Sequence, residues 1–153
     1  MFFTAERIVT HEQMDLSLEI RREVFIEEQG VDPEEEIDDF DNLEKINDTA
    51  IHVLVFENNQ PIATGRLLLD SSDNEYAHIT RVAVLLEYRK KGAGLAVMHW
   101  LQDMAKQIGR DGITLAAQTH AIGFYEKLGY IARGEIFLDA KIEHRCMDLA
   151  FEN

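Results

Sequence analysis

Apolar and polar positions change rhythm several times along the chain. Phe2 to Val9 reads as an opening strand. His11 to Gln29 runs without Gly or Pro and is long enough for a helix, although Asp15 to Ile20 alternate polar and apolar as a strand would. Gly30 closes that segment. In "AIHVLVFENNQPIATGRLLLD", two β-rich runs flank the cluster Asn58-Asn59-Gln60-Pro61 and predict a hairpin. The polar "SSDNE" turns the chain into a third β-rich run, Tyr76 to Leu85. The period then becomes helical from Gly92 to Ile108. Val97, Leu101, Met104, Ala105 and Ile108 share one face, and His99, Asp103, Lys106 and Arg110 share another. Gly109 suits the residue just past the helix end. Ile113–Ala117 predicts a short buried strand, Ala121–Leu128 a short helix closed by Gly129. Tyr130–Leu138 and Ile142–Phe151 predict two last strands. The order βα-βββ-α-β-α-ββ implies an α+β, or mixed α/β, sandwich around one sheet.

Composition narrows the class. A chain of 153 residues, 46% apolar and 29% charged, has the size of one domain spanning residues 1–153. No apolar run approaches the roughly 18 residues of a membrane span, and "MFFTAERIV" does not read as a secretory signal. One cysteine, Cys146, rules out an internal disulfide and suits a reducing compartment, here expected to be the cytoplasm. His11, His52, His78, His99, His120 and His144 show no metal-site spacing, so no metal is expected. A formal charge of −14 argues against nucleic acid and against anionic membrane surfaces as partners.

Against that charge, one stretch stands out. "YRKKGAGLAVM", Tyr88 to Met98, runs three consecutive cations into two glycines at the start of a helix. A helix N-terminus presents unpaired N–H groups and about half a positive charge. Glycines let the backbone approach a ligand without a Cβ in the way. Arg89, Lys90 and Lys91 can add charge-assisted contacts. Carboxylates beyond roughly 8 Å are screened at physiological salt, so the local patch can outweigh the net charge. The turn thus reads as a phosphate site, with a merely basic surface turn as the alternative. It matches neither a P-loop nor a dinucleotide fingerprint.

These motifs together resemble the GNAT superfamily, the Gcn5-related N-acyltransferases. Arg81-Val82-Ala83-Val84, then Arg89-Lys90-Lys91-Gly92-Ala93-Gly94, match the strand and the Arg/Gln-x-x-Gly-x-Gly/Ala turn of that superfamily. "FYEKLGY", Phe124 to Tyr130, matches a later element. "RREVFIEEQGV", Asp38, Asp41, His52, "TGRL", "AAQ", His144 and Met147 are similar to one small bacterial branch. The resemblance implies a central, mostly antiparallel sheet flanked by helices and splayed between Tyr76–Leu85 and Ile113–Ala117. It implies acetyl-CoA as donor, its pyrophosphate on the amides of Lys90 to Leu95 and its pantetheine arm along Val82, Ala83 and Val84 as an added strand. Gln118 stands where many relatives hold that arm with Asn, and Lys141 where the branch often has Gly.

The implied reaction is direct attack of an amine on the thioester in a ternary complex. Tyr125 occupies the position of the family's general acid. Glu28 and His144 are the candidate bases. Cys146 as a covalent carrier, and His52 or His78 as catalysts, are the weaker readings. Ten acids between Glu27 and Glu44, with no Lys or Arg among them, read foremost as a solvated loop, and otherwise as a rim for a cationic acceptor. The acceptor is expected to be a small-molecule or peptide amine, and the protein a monomer or homodimer. Two rival functions share these features: a non-catalytic CoA sensor or adaptor, and an acidic docking module with a degenerate site.

Overall fold

The computed structural model describes residues 2–46, 48–69 and 75–152. Most of "SSDNE", Ser71 to Asn74, lies outside the described residues. One seven-stranded sheet runs in the order β1-β2-β3-β4-β5-β7-β6. Its strands are β1 (Phe3–Arg7), β2 (Ala50–Glu57), β3 (Gln60–Leu68), β4 (Tyr76–Val84), β5 (Gly112–Gln118), β6 (Ile131–Asp139) and β7 (Ile142–Ala150). Every neighbouring pair is antiparallel except β4 and β5. The helices are α1 (His11–Arg21), α2 (Pro33–Glu36), α3 (Ala93–Ile108) and α4 (Ile122–Lys127).

The alternation at Asp15–Ile20 does not make a strand. Thr10 caps α1 through its hydroxyl, which accepts from the Gln13 amide at 3.1 Å, and the Gln13 side chain accepts back from the Thr10 amide at 3.0 Å. Met14, Ser17, Ile20 and Arg21 then form the buried stripe. The helix expected to reach Gln29 changes winding instead. Arg22–Glu28 is a π-helical turn, with the Gln29 N–H bonded to the Val24 carbonyl at 3.2 Å. The hairpin loop is only Asn58-Asn59, both left-handed (φ 50° and 66°), while Gln60 and Pro61 already belong to β3.

Both faces of β2–β4 are covered. Thr64 and Gly65 are adjacent in β3 and so face opposite ways. The Thr64 hydroxyl meets Ser17 of α1 at 2.5 Å. A Cβ on Gly65 would stand 2.5 Å from Val97 and 3.0 Å from Leu101, both in α3. The missing side chain therefore lets α3 lie flat on the sheet. Val53, Val55, Leu67, Val97, Leu101, Ile113 and Met147 belong to the core on the α3 side, and Ile8, Met14, Ile20, Val24 and Leu54 to the core on the α1 side. Burying each large aliphatic side chain contributes about 1.5–3 kcal/mol. The buried stripe of α3 is rotated from the expected one: Met98 and Gln102 are buried, while Ile108 is 44% exposed. Gln102 earns its place by accepting the Tyr130 hydroxyl at 2.7 Å.

Two irregularities shape β4. Thr64 lies opposite Ala83, but Arg66 lies opposite Thr80, so β4 carries an extra residue where Arg81 has φ 57°. On its other edge β4 pairs with β5 only from Tyr76–His78 to Gly112–Thr114. Beyond His78 the two strands diverge, which is the splay the resemblance implies.

The acidic segment departs from its expected state. Glu36 is 2% exposed and Asp41 7%. Arg21 holds the Glu36 carboxylate at 2.6 and 3.0 Å and the Asp41 carboxylate at 2.7 and 2.9 Å. Arg66 bonds both oxygens of Asp38 at 2.7 and 2.9 Å and Asp41 at 3.0 Å. The segment lacks cations of its own because α1 and β3 supply them from a distance. Its other acids, such as Asp32, Glu34 and Glu35, do stay at the surface.

Candidate active site

The divergence of β4 and β5 opens a cleft of about 850 Å³. One wall is the free edge of β4, from Ile79 to Val84; the other is formed by Leu115, Ala116 and Gln118 of β5. The π-helical turn contributes Val24, Phe25 and Glu28, and the β6–β7 turn contributes Asp139 and Ala140. The cleft ends at the glycine turn, where Arg89, Lys90, Gly92, Gly94 and Leu95 line it.

That turn has the backbone an anion site needs. Lys90 (φ 63°) and Gly92 (φ 97°) are left-handed, and the first bond of α3 is from the Ala96 N–H to the Gly92 carbonyl at 3.0 Å. The amides of Ala93, Gly94 and Leu95 thus precede the helical ladder. A Cβ on Gly94 would come within 3.4 Å of the Phe124 ring, another residue of the cleft lining. Not all of the predicted residues line the cleft. Lys91 lies over the Tyr88 ring at 5.9 Å and Ala93 is buried under the turn, and neither lines the cleft.

Arg89 is engaged by the protein itself. Its Nε–H donates to the Val84 carbonyl at 2.9 Å, and its two Nη groups grip the Glu28 carboxylate at 2.6 and 2.7 Å. Those bonds, outweighing a small opposing effect of burial, hold the Glu28 carboxyl below the usual range. A carboxylate so stabilised is a poor proton acceptor. Gln118 is likewise committed: it exchanges amide bonds with Gln29 at 2.8 and 3.2 Å, and its oxygen meets the His120 Nε2 at 2.7 Å. This amide pair ties the end of β5 to the chain just past the π-helical turn.

Tyr125 and His144 both line the cleft. The Tyr125 ring stands edge-on to Phe124 (5.1 Å) and Tyr130 (5.8 Å). Among the described residues its hydroxyl has no hydrogen-bond partner, and burial pushes its pKa up to about 12. The phenol is therefore neutral and a donor at pH 7. His144 pairs with Gln118 in register and stacks on Phe137. Its Nδ1 lies 2.7 Å from the Ile142 carbonyl. A carbonyl can only accept, so Nδ1 carries the proton in this contact, and a neutral ring would then have its lone pair on Nε2. By contrast His52 is buried, its Nε2 2.8 Å from the Phe40 carbonyl, and desolvation lowers its pKa. His78 and Cys146 do not line the cleft.

Sequence reasoning missed Arg81, Val24, Phe25, Val31 and Ile142 on the cleft wall. It also missed the role of Arg21 and Arg66. Their signal was present: Arg66 is the lone cation of a strand whose other residues are mostly apolar, Arg21 continues the apolar stripe of Met14 and Ile20, and the acids of the segment have no local partner.

Comparison with known proteins agrees with this geometry. The model of the acetyltransferase (GNAT) family matches residues 16–130. The uncharacterized protein YyaT of Bacillus subtilis is 38% identical over 142 residues, 93% of this chain and 92% of its own. The uncharacterized N-acetyltransferase YjcF of the same organism is 37% identical, over 87% of this chain and 89% of its own. Among solved structures, an acyl-CoA N-acyltransferase from Pseudomonas aeruginosa superimposes with a TM-score of 0.80 at 28% identity, covering 97% of this chain and 99% of that one. With the splayed sheet, the glycine turn and these relatives in agreement, the chain belongs to the GNAT family of acetyltransferases.

Proposed function

We propose that the protein transfers the acetyl group of acetyl-CoA to an amine by direct attack within a ternary complex. The observation that carries this reading is the continuous cleft from the glycine turn, along the free edge of β4, to Tyr125 and His144. The turn amides from Lys90 to Leu95 and the Lys90 side chain suit the donor's diphosphate. The edge at Val82–Val84 suits an extended, amide-bearing arm, although Arg89 already occupies the Val84 carbonyl. This edge is where the donor's arm must compete with a side chain of the protein.

An alkyl ammonium has a pKa near 10 and must lose a proton before it attacks. His144 Nε2 takes that proton, directly or through one water, and Nδ1–H on the Ile142 carbonyl fixes the ring and its tautomer. Tyr125 donates its O–H to the departing sulfur. Glu28, tied to Arg89, positions the turn instead of serving as base. The reading puts this work in the cytoplasm, where acyl-CoA and a reduced Cys146 coexist.

Thermal unfolding with and without acetyl-CoA tests the donor. Ligand at a hundred times Kd should add about 2.7 kcal/mol of stability. No shift at millimolar concentration overturns the proposal. Thiol release with a panel of amines then tests turnover.

A further inference from the structure

Three arginines, Arg21, Arg66 and Arg81, converge on the carboxylates of Glu36, Asp38 and Asp41, and they are not equivalent. Arg21 holds Glu36 and Asp41, and Arg66 holds Asp38 and Asp41, all at 2.6–3.0 Å. Arg81 has no carboxylate at hydrogen-bonding distance. The nearest oxygens, Asp38 Oδ2 and Glu36 Oε1, lie 3.7 and 3.8 Å away and are spent on the other two arginines. Its Nε and Nη2 reach only main-chain carbonyls, those of Glu36 (3.1 and 3.0 Å) and Glu35 (3.3 Å). Its Nη1 has no acceptor among the described residues.

Arg81 is also the only one of the three that lines the cleft, with its side chain 25% exposed. Its backbone sits at φ 57° in the β4 bulge, a conformation that costs a non-glycine residue roughly 1–2 kcal/mol. Its bonds to the Glu35 and Glu36 carbonyls set this side chain against α2, on the cleft wall. Desolvation and the charges of Arg66 and Arg21 lower its pKa against the opposing pull of Glu36 and Asp38, and a further anion at Nη1 would add to that pull. That anion is not the donor's diphosphate. Three residues of strand, about 10 Å, separate Arg81 from Val84, and the glycine turn lies beyond.

Resting on the acetyl-transfer reading above, we propose that Arg81 binds a carboxylate of the acceptor, which is therefore an amine that also carries a carboxylate, an α-amino acid being the simplest case. The two Nη1 protons supply the hydrogen bonds. Val24, Phe25, Val31 and Ile142 give the neighbouring wall an apolar character that suits an apolar side chain.

The test uses matched pairs differing only in the carboxylate: L-phenylalanine against 2-phenylethylamine, and L-leucine against 3-methylbutylamine. With acetyl-CoA as donor, the wild-type protein should show a kcat/KM at least about 10-fold higher for the amino acid of each pair. Arg81→Gln keeps the Cβ and the backbone strain but removes the charge. It should raise KM for L-phenylalanine about 10- to 100-fold and move that for 2-phenylethylamine less than about threefold. Arg81→Lys should recover part of the loss. Equal or faster turnover of the decarboxylated amines by the wild type overturns the assignment. So does a variant that loses both members of a pair equally, and so does turnover of neither member while CoA still stabilises the protein. Should Arg81→Gln fail to fold, the wild-type ratios alone decide. Failure of the wild type to bind CoA is a separate result, which sinks acetyl transfer itself.

Discussion

The two ends of the cleft are built by different means. At the end proposed for the donor, the wall is backbone: unladdered amides of Ala93–Leu95, left-handed Lys90 and Gly92, and the free edge of β4. At the end proposed for the acceptor, side chains from distant parts of the chain interlock: Arg21 of α1 and Arg66 of β3 hold Glu36, Asp38 and Asp41, and Arg81 of β4 leans on the Glu36 carbonyl. A backbone site is encoded within about six consecutive residues. A side-chain site needs the fold first. The donor end should therefore tolerate side-chain substitution except at glycine, while the acceptor end should be coupled to stability.

Tyr125, the proposed general acid, carries the largest expected effect. Tyr125→Phe should lower kcat by roughly 10²–10⁴-fold while CoA still raises the melting temperature. Retained activity would remove the phenol from the mechanism. Next comes the acceptor end itself. Arg21→Ala strips buried Glu36 of its hydrogen-bonded cation and Asp41 of one of its two, and should destabilise the protein by about 3–5 kcal/mol in denaturant unfolding. A loss under about 1 kcal/mol would break the contrast drawn between the two ends.

The same network sets an acid limit. Burial alone would raise the Asp41 pKa, but hydrogen bonds and charge from Arg21, the Asp38 amide and the Arg66 charge pull it down to about 2. A folded pKa below the unfolded one stabilises above the unfolded value, and that stability fades as pH falls. Roughly 2 kcal/mol should disappear between about pH 4 and pH 2, and Asp41→Asn should flatten that part of the pH profile.

At the donor end the effects are smaller. Lys90→Ala should weaken CoA binding by about 5–10-fold and lessen its salt dependence, whereas Lys91→Ala, out of the cleft over Tyr88, should change it by less than about twofold. Equal effects of the two would mean that the turn presents charge without direction. The smallest effect concerns the β6–β7 turn, where Ala140 (φ 50°) and Lys141 (φ 66°) are both left-handed. Lys141→Gly should stabilise the protein by about 0.5–1 kcal/mol, because the relief of strain exceeds the entropy glycine loses.

Much of this molecule can be read locally. The 3.6-residue period of Val97, Leu101 and Ala105 places α3, and Gly109 ends it at φ 96°. Asn58-Asn59 marks the hairpin loop, and the cations before Gly92 mark the anion turn. Each depends on neighbours a few residues apart. What escaped depends on encounters across the chain. The π-helical turn at Arg22–Glu28 replaces ordinary helix with no Gly or Pro to announce it. Glu28 looks like a free carboxylate until Arg89, 61 residues away, is folded against it. Ten acids look like a solvated loop until two buried guanidiniums from outside the segment draw three of them in.

The sequence by itself determined the order of the strands and of the helices α1, α3 and α4, the family and the position of the basic glycine turn, because these follow from periodicity, caps and glycine, which act over a few residues. Only the tertiary structure decided which carboxylates are structural, which of the strand histidines lines the cleft, and which of three arginines has no carboxylate at hydrogen-bonding distance. Charge is a property of a residue, but its availability is a property of the partners folding assigns to it. In the low-dielectric interior those assignments outweigh anything the isolated side chain would do.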